Sequence, residues 1–286
     1  MGPRPLRLAY LGTPATAVPT LRALVDAGHD VALVVTAADK RRGRGSALVP
    51  SPVKAAGLEL GLPVTDRIDD VLDLDPPAEL GVVVAFGRLI KPHVLARLRM
   101  INVHFSLLPR WRGAAPVERA ILAGDEITGV CVMDVEEGLD TGAIYRREAV
   151  AIGGDMTADE LRVELVAIGT RLVLDALASG LGEPEPQVGE PVYAHKLDPS
   201  EFELDWASPA IELHRIVRIG GAWTTHCGHR LKIWRTSLHP SADGIVVPTG
   251  TEPIELLEVQ PEGKPRMPAR AWANGAHWQR GETLAT

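Results

Sequence analysis

Two apolar strands flanking one helix at the start of the chain restrict the fold most. Leu6 to Leu11 reads as a buried strand, Gly12-Thr13-Pro14 as a turn, Ala17 to Ala27 as a helix, and Val31 to Thr36 as a second strand. Strand–helix–strand order favours a parallel sheet with helices on its faces. Leu80 to Phe86 is continuously apolar, as expected of a strand buried on both sides. The alternation continues. Lys91 to Arg99 reads as helix, Met100 to Phe105 as strand, Ala114 to Ala123 as helix, and Gly129 to Val135 and Gly142 to Val150 as strands. Ser51-Pro52 is a helix start, with serine as N-cap and proline at the first helical position. Thr157 caps a long helix to Ala178, with Glu160 placed for a capping box.

Helical periodicity then stops. Ser179 to Pro191 is rich in Gly, Pro and Glu and reads as a linker. Beyond it, Pro209 to Ile219 suggests a helix. Trp223–His226, Leu231–Trp234, Ile245–Pro248 and Ile254–Val259 are short β-rich runs broken by turn residues, the pattern of a small β-barrel. The expected division is a catalytic domain over 1–180, a linker over 181–200 and a small domain over 201–286.

With 286 residues and a net charge of −7, the chain carries no overall basic footprint for nucleic acid. Any polyanion must meet a local patch. One is the loop of Lys40, Arg41, Arg42 and Arg44. Another is Leu213 to Ala242, which holds Arg215, Arg218, Arg230 and Lys232 and no acid. Two cysteines, Cys131 and Cys227, make neither a disulfide framework nor a zinc site. His226-Cys227-Gly228-His229 also lacks metal-ligand spacing, so no metal is expected. Absence of a signal-like or membrane-length apolar run makes a cytoplasmic protein the expectation, and a monomer is preferred.

Candidate chemistry concentrates in two places. Asn102 and His104 lie two apart on a strand, hence on one face, near the carboxyl end where open α/β sheets bind ligands. Asp140 sits in Glu136 to Gly142, a glycine-bounded loop between two strands. Taken singly, the histidine reads as a satisfied strand-end residue and the aspartate as a turn cap.

Together they match a pattern. His104-Phe105-Ser106-Leu107-Leu108-Pro109, Gly113 and Leu139-Asp140-Thr141-Gly142 resemble the folate-dependent formyltransferases. Ser106 to Val117 is similar to the methionyl-tRNA formyltransferase members in particular. So are Gly12-Thr13-Pro14, Gly43-Arg44-Gly45, Val84-Ala85-Phe86-Gly87, Gly221-Ala222-Trp223-Thr224 and Val259 to Lys264. The resemblance implies an α/β fold, with a doubly wound, mostly parallel sheet followed by a small OB-like β-barrel. It implies 10-formyltetrahydrofolate as the reduced-folate formyl donor and initiator methionyl-tRNA as the acceptor. Asn102, His104 and Asp140 would be catalytic. Ser106, Leu107, Leu108 and Pro109, with Phe86, Gly87, Leu89 and Ile90, would hold the folate. Lys40, Arg41, Arg42, Arg44, Arg215, Arg218, Arg230 and Lys232 would meet the tRNA. Phe105 replaces the small residue usual in the family, and strand alternation should turn it away from Asn102 and His104. Ala15 and Thr16 also depart from the usual Glu-Phe after the first turn. A sugar-nucleotide N-formyltransferase and an inactive RNA- or folate-binding module stay open as alternatives.

The chemistry is consistent with these residue types. An α-amino group has a pKa near 7.7–8.0, and esterification of the neighbouring carboxyl lowers it further, so much of the acceptor is already nucleophilic and no serine or cysteine nucleophile is needed. The tetrahedral intermediate needs donors for its oxyanion, which Asn102 and His104 can supply while Asp140 holds the other ring nitrogen. Cys131, in an apolar strand, reads as core.

Overall fold

The computed structural model describes residues 4–41, 48–241, 243–279 and 282–285. It contains two compact units. One is Met1–Pro116 with Ile127–Ala151 and Arg162–Ala194; the other is Val117–Glu126 with Ile152–Leu161 and His195–Thr286.

The chain begins with β1 (Arg7–Gly12), α1 (Val18–Asp26), β2 (Asp30–Val35) and the short pair β3 (Lys40–Arg41) and β4 (Leu48–Val49). It continues through α2 (Pro52–Glu59), β5 (Val64–Thr65), β6 (Leu80–Val84), α3 (Pro92–Leu95) and β7 (Met100–His104). Then come β8 (Arg112–Gly113), α4 (Pro116–Ala123), β9 (Ile127–Asp134), β10 (Ile144–Ala151), α5 (Ala158–Ser179) and β11 (Tyr193–Ala194).

Seven strands of the first unit form one sheet in the order β10-β9-β7-β6-β1-β2-β5. Pairing is parallel from β5 through β7 and antiparallel from β7 to β9 and β10. All five residues of β6 are buried, as its unbroken apolar run requires, whereas edge strand β10 alternates buried and exposed. The chain first winds outward from β1 to β2 and β5, then returns to β6 on the other side of β1. Strand order therefore reverses between β1 and β6, and a crevice is expected at their carboxyl ends.

Close backbone approaches fix this layer. A Cβ on Gly169 of α5 would lie 2.7 Å from Val103 Cγ1 and 3.2 Å from Val130 Cγ1, so only glycine lets the helix sit this near β7 and β9. Phe105 faces the same side, 3.7 Å from that Cβ position, opposite to Asn102 and His104. The expected helix starts are present. Ser51 Oγ accepts Lys54 N–H at 2.9 Å with Pro52 in the first turn. Thr157 and Glu160 exchange backbone–side-chain bonds as a capping box.

Residues 181–194, read from sequence as linker, are tied to distant segments at several points. Glu185 exchanges two backbone bonds of 2.8 Å with Ile144, Val192 bonds Pro109 and Arg112, and β11 pairs with β8. Glycine and proline content predicted lost periodicity correctly, but it could not register backbone pairing with distant segments.

The second unit carries α6 (Ala210–Arg218), β12 (Trp223–His226), β13 (His229–Ser237), β14 (Ile245–Val247), β15 (Ile254–Pro261), β16 (Met267–Pro268) and α7 (Ala269–Ala276). Its antiparallel sheet runs β12-β13-β15-β14, with β16 also on β15. Leu231 and Ile233 point into a core with Leu213, Val217, Leu256 and Val259, while Arg230, Lys232 and Trp234 alternate outward. No helix among the described residues is long and apolar enough to cross a membrane.

Candidate active site

A cleft of about 580 Å³ opens at the carboxyl ends of β6 and β7. Its walls include Pro14 after β1, Ala85 to Ile90 after β6, Asn102 to Phe105 of β7 and the following residue, and Glu136 with Gly138 to Asp140 from the β9–β10 loop. This is the crevice expected from the strand order. Buried Tyr10 donates its hydroxyl to the Ala17 carbonyl, which fixes the turn between β1 and α1.

His104 is buried at the cleft wall. Its Nε2 lies 2.8 Å from the Trp111 carbonyl and its Nδ1 lies 3.5 Å from Asp140 Oδ2. A carbonyl only accepts, so Nε2 carries a proton in this contact. Asp140 Oδ2 also accepts the Gly113 backbone N–H at 2.8 Å. Asn102 shares the His104 face of β7 and lines the cleft, and its amide makes no hydrogen bond to protein among the described residues. The amide donor is therefore available to a ligand.

Three non-glycine residues at this site hold left-handed backbone: Ala85 at φ 46°, Trp111 at φ 63° and Asp140 at φ 51°. Such conformations are costly for side-chain-bearing residues and persist only where the surroundings enforce them. At Trp111 the bend brings its carbonyl back onto His104. At Asp140 it turns the carboxylate toward β7.

Phe86, Gly87, Leu89 and Ile90 line the cleft, and Leu89 and Leu139 are exposed apolar side chains. Ser106 to Pro109, also expected at the folate, are not among the residues lining this cleft. Ser106 is buried and donates to the Arg110 carbonyl at 2.6 Å, which closes the turn leading back to Trp111. Leu107 packs over Gly129, and Leu108 joins Cys131, Met133 and Ile144 in a small apolar cluster. Pro109 accepts from Val192 N. These residues support the His104–Trp111 turn from behind. Burial pushes the Cys131 thiol up to about 11, so it is core, as its strand predicted.

The basic residues separate. Lys40 and Arg41 are exposed on β3, and Arg42 and Arg44 lie outside the described residues. Arg230 is exposed, with its guanidinium 4.0 Å above the Trp223 ring, and half-buried Lys232 lies 5.8 Å over Trp234. Arg266 stacks on the same Trp234 at 3.3 Å. Arg215 is half-buried beside Gly124. Arg218 is a correction. It is buried, and its Nε and Nη2 donate to the Met156 and Gly153 carbonyls, both at 2.8 Å, so its head is not on the surface. A positive charge is visible in sequence; the distant turn that consumes it is not.

Sequence reasoning missed Gln187. Its Nε2 donates to the Asp140 carbonyl at 2.9 Å and the Gly142 carbonyl at 2.8 Å, while its Oε1 accepts Arg112 Nε and Nη2 at 3.0 and 2.6 Å. A lone glutamine in a Gly/Pro-rich stretch carries no periodic signal.

The family described as formyl transferase matches residues 6–177, and the formyl transferase C-terminal domain matches 196–277. The methionyl-tRNA formyltransferase of Symbiobacterium thermophilum is 41% identical over 307 residues, covering 96% of this chain and 94% of the relative. That of Methylobacterium nodulans is 42% identical over 312 residues, covering 98% and 100%. In fold, the chain is similar to the solved N-formyltransferase from Helicobacter canadensis, with a TM-score of 0.67 and 17% identity, covering 88% of this chain and 99% of that one. The chain belongs to the formyl transferase family, in its methionyl-tRNA formyltransferase branch.

Proposed function

We propose that this protein transfers the formyl group of 10-formyltetrahydrofolate to the α-amino group of initiator methionyl-tRNA. The observation that carries the reading is His104 held between the Trp111 carbonyl and Asp140, with Asn102 on the same strand face beside it. Phe86, Leu89, Ile90 and Leu139 offer apolar walls to the flat folate rings. The amine nitrogen attacks the formyl carbon, and the carbonyl oxygen takes negative charge. Asn102 donates to that oxygen, and the His104 N–H that rests on the Trp111 carbonyl turns to it. Collapse breaks the N10–carbon bond, and the proton lost by the amine ends on N10. Asp140 holds the imidazole in the orientation this requires.

Trp223, Arg230, Lys232, Trp234 and Arg266 put cations and ring faces side by side on the outer face of the second unit's sheet. That pairing suits phosphate backbone and exposed bases, and we assign it to the tRNA. Arg218 is left out of this assignment, and Lys40 and Arg41 remain in it. We propose residues 201–286 as the tRNA-binding part and residues 1–180, together with the paired strap 181–194, as the catalytic part.

The test is formyl transfer from 10-formyltetrahydrofolate offered to charged initiator tRNA and, separately, to an amino-sugar nucleotide. Turnover with the tRNA alone is expected. Turnover with the sugar nucleotide alone would replace the acceptor assignment.

A further inference from the structure

We infer that Gln187 is a positioning residue for Asp140, and that the strap carrying it is part of the catalytic apparatus rather than a tether. The inference rests on the catalytic reading of Asp140 proposed above.

All four hydrogen-bonding positions of the Gln187 amide are used. Two donated bonds grip the carbonyls of Asp140 and Gly142, on either side of Thr141, and two accepted bonds come from one Arg112 guanidinium. Arg112 adjoins Gly113, whose N–H holds Asp140 Oδ2 at 2.8 Å. Asp140 is thus fixed at both its backbone and its carboxylate by one connected group of three residues. That matters because Asp140 sits at φ 51°, a left-handed conformation uncommon for any residue other than glycine. Without the Gln187 grip, the residue is free to relax toward ordinary backbone, which carries the carboxylate away from His104 Nδ1.

The strap is anchored independently of this glutamine. Glu185 pairs with Ile144, Val192 accepts from Arg112 N at 2.8 Å, and Ala194 accepts from Ala114 N at 2.9 Å. Those backbone bonds survive a side-chain change at 187, so the loss is confined to the Asp140 loop. No other amino acid supplies the same fork: glutamate offers two acceptors to two carbonyls, and asparagine is one methylene shorter.

The experiment is a double-mutant cycle on the full chain, measuring single-turnover formyl transfer and KM for both substrates in wild type, Gln187→Ala, Asp140→Asn and the double variant. Displacing a catalytic group by about 1 Å costs on the order of 100-fold, and Gln187→Ala is expected to lose about that much in kcat with both KM values near wild type. In the Asp140→Asn background the same change is expected to cost less than threefold, because the residue acts through Asp140. Full losses that multiply in the double variant, or a loss confined to KM, would overturn the inference while leaving Asp140 catalytic. A wild-type rate for Asp140→Asn would instead overturn the catalytic reading and the inference with it. Should Gln187→Ala fail to fold, Arg112→Met removes the other half of the fork and is read in the same cycle. It is expected to lower kcat in the wild-type background and to have little effect in Asp140→Asn, and independence from Asp140 would overturn the inference.

Discussion

Asp140 Oδ2 lies 3.5 Å from His104 Nδ1 while the same oxygen takes the Gly113 backbone N–H at 2.8 Å. One carboxylate oxygen therefore links the strand that carries His104, the loop after β9 and the segment entering α4. Asp140→Asn keeps the size and one acceptor but removes the charge. We expect kcat to fall by about 100-fold or more with an unchanged melting temperature. Single-turnover kinetics beside thermal melting checks this, and a wild-type rate would make Asp140 a turn residue.

The loop that delivers Asp140 has no room beside β9. A Cβ on Gly142 would lie 2.0 Å from the Asp134 carbonyl oxygen and 2.7 Å from its carbon, both backbone atoms that cannot yield like a side-chain end. Gly142→Ala should lower stability by about 1–3 kcal/mol. It should also lower kcat, because the strand pairing that follows the loop must shift. Denaturant unfolding and formyl-transfer rates measure the two effects, and a variant unchanged in both would show that the loop has slack.

The second unit should lose stability in mild acid. Burial holds the His214 imidazole below its ordinary value, and the nearby Arg218 pushes the same way, while the Gly154 carbonyl and Asp155 oppose them. Thr236 takes its Nδ1 at 2.8 Å. A histidine with a depressed folded value binds its proton more readily in the unfolded chain. Its contribution is therefore fully present above about pH 6.5 and is lost as pH falls below that. His29 in the first unit is shifted in the same direction by partial burial. Melting temperature should drop from pH 7.5 to 5.5, and His214→Gln in a His29→Gln background should flatten that drop. An equal slope with and without His214 would contradict the assignment.

Arg230, Lys232 and Arg266 should act on tRNA and not on folate. Replacing all three with alanine removes three cations from the face built around Trp223 and Trp234. Each lost phosphate contact should reduce the slope of log K against log salt by about 0.7–0.9. Titrations of tRNA at several salt concentrations, with the folate KM as control, read this out. Unchanged affinity and slope would make the face an ordinary solvated sheet.

The sequence was most informative where local physics decides structure. Apolar runs marked β1, β2, β6 and β7, Ser51-Pro52 and Thr157–Glu160 marked two helix starts, and period-two alternation put Asn102 and His104 on one face. It was least informative where a polar group is consumed far away in the chain. Gln187 grips a loop 45 to 47 residues earlier, and Arg218 spends its guanidinium on carbonyls 62 and 65 residues earlier. Neither leaves a periodic trace. Ser106 to Pro109 fall between these cases, because their motif was legible but the turn closed by Ser106 and Arg110 sends them behind the cleft.

The central claim is that Asn102 and His104 stabilise the charge that develops on the formyl oxygen. Single-turnover formyl transfer to charged initiator tRNA by folded Asn102→Ala and His104→Ala proteins tests it most directly. Loss of one oxyanion donor should slow the step by about 100- to 1000-fold with folate binding retained. A near-normal single-turnover rate in folded His104→Ala would contradict it.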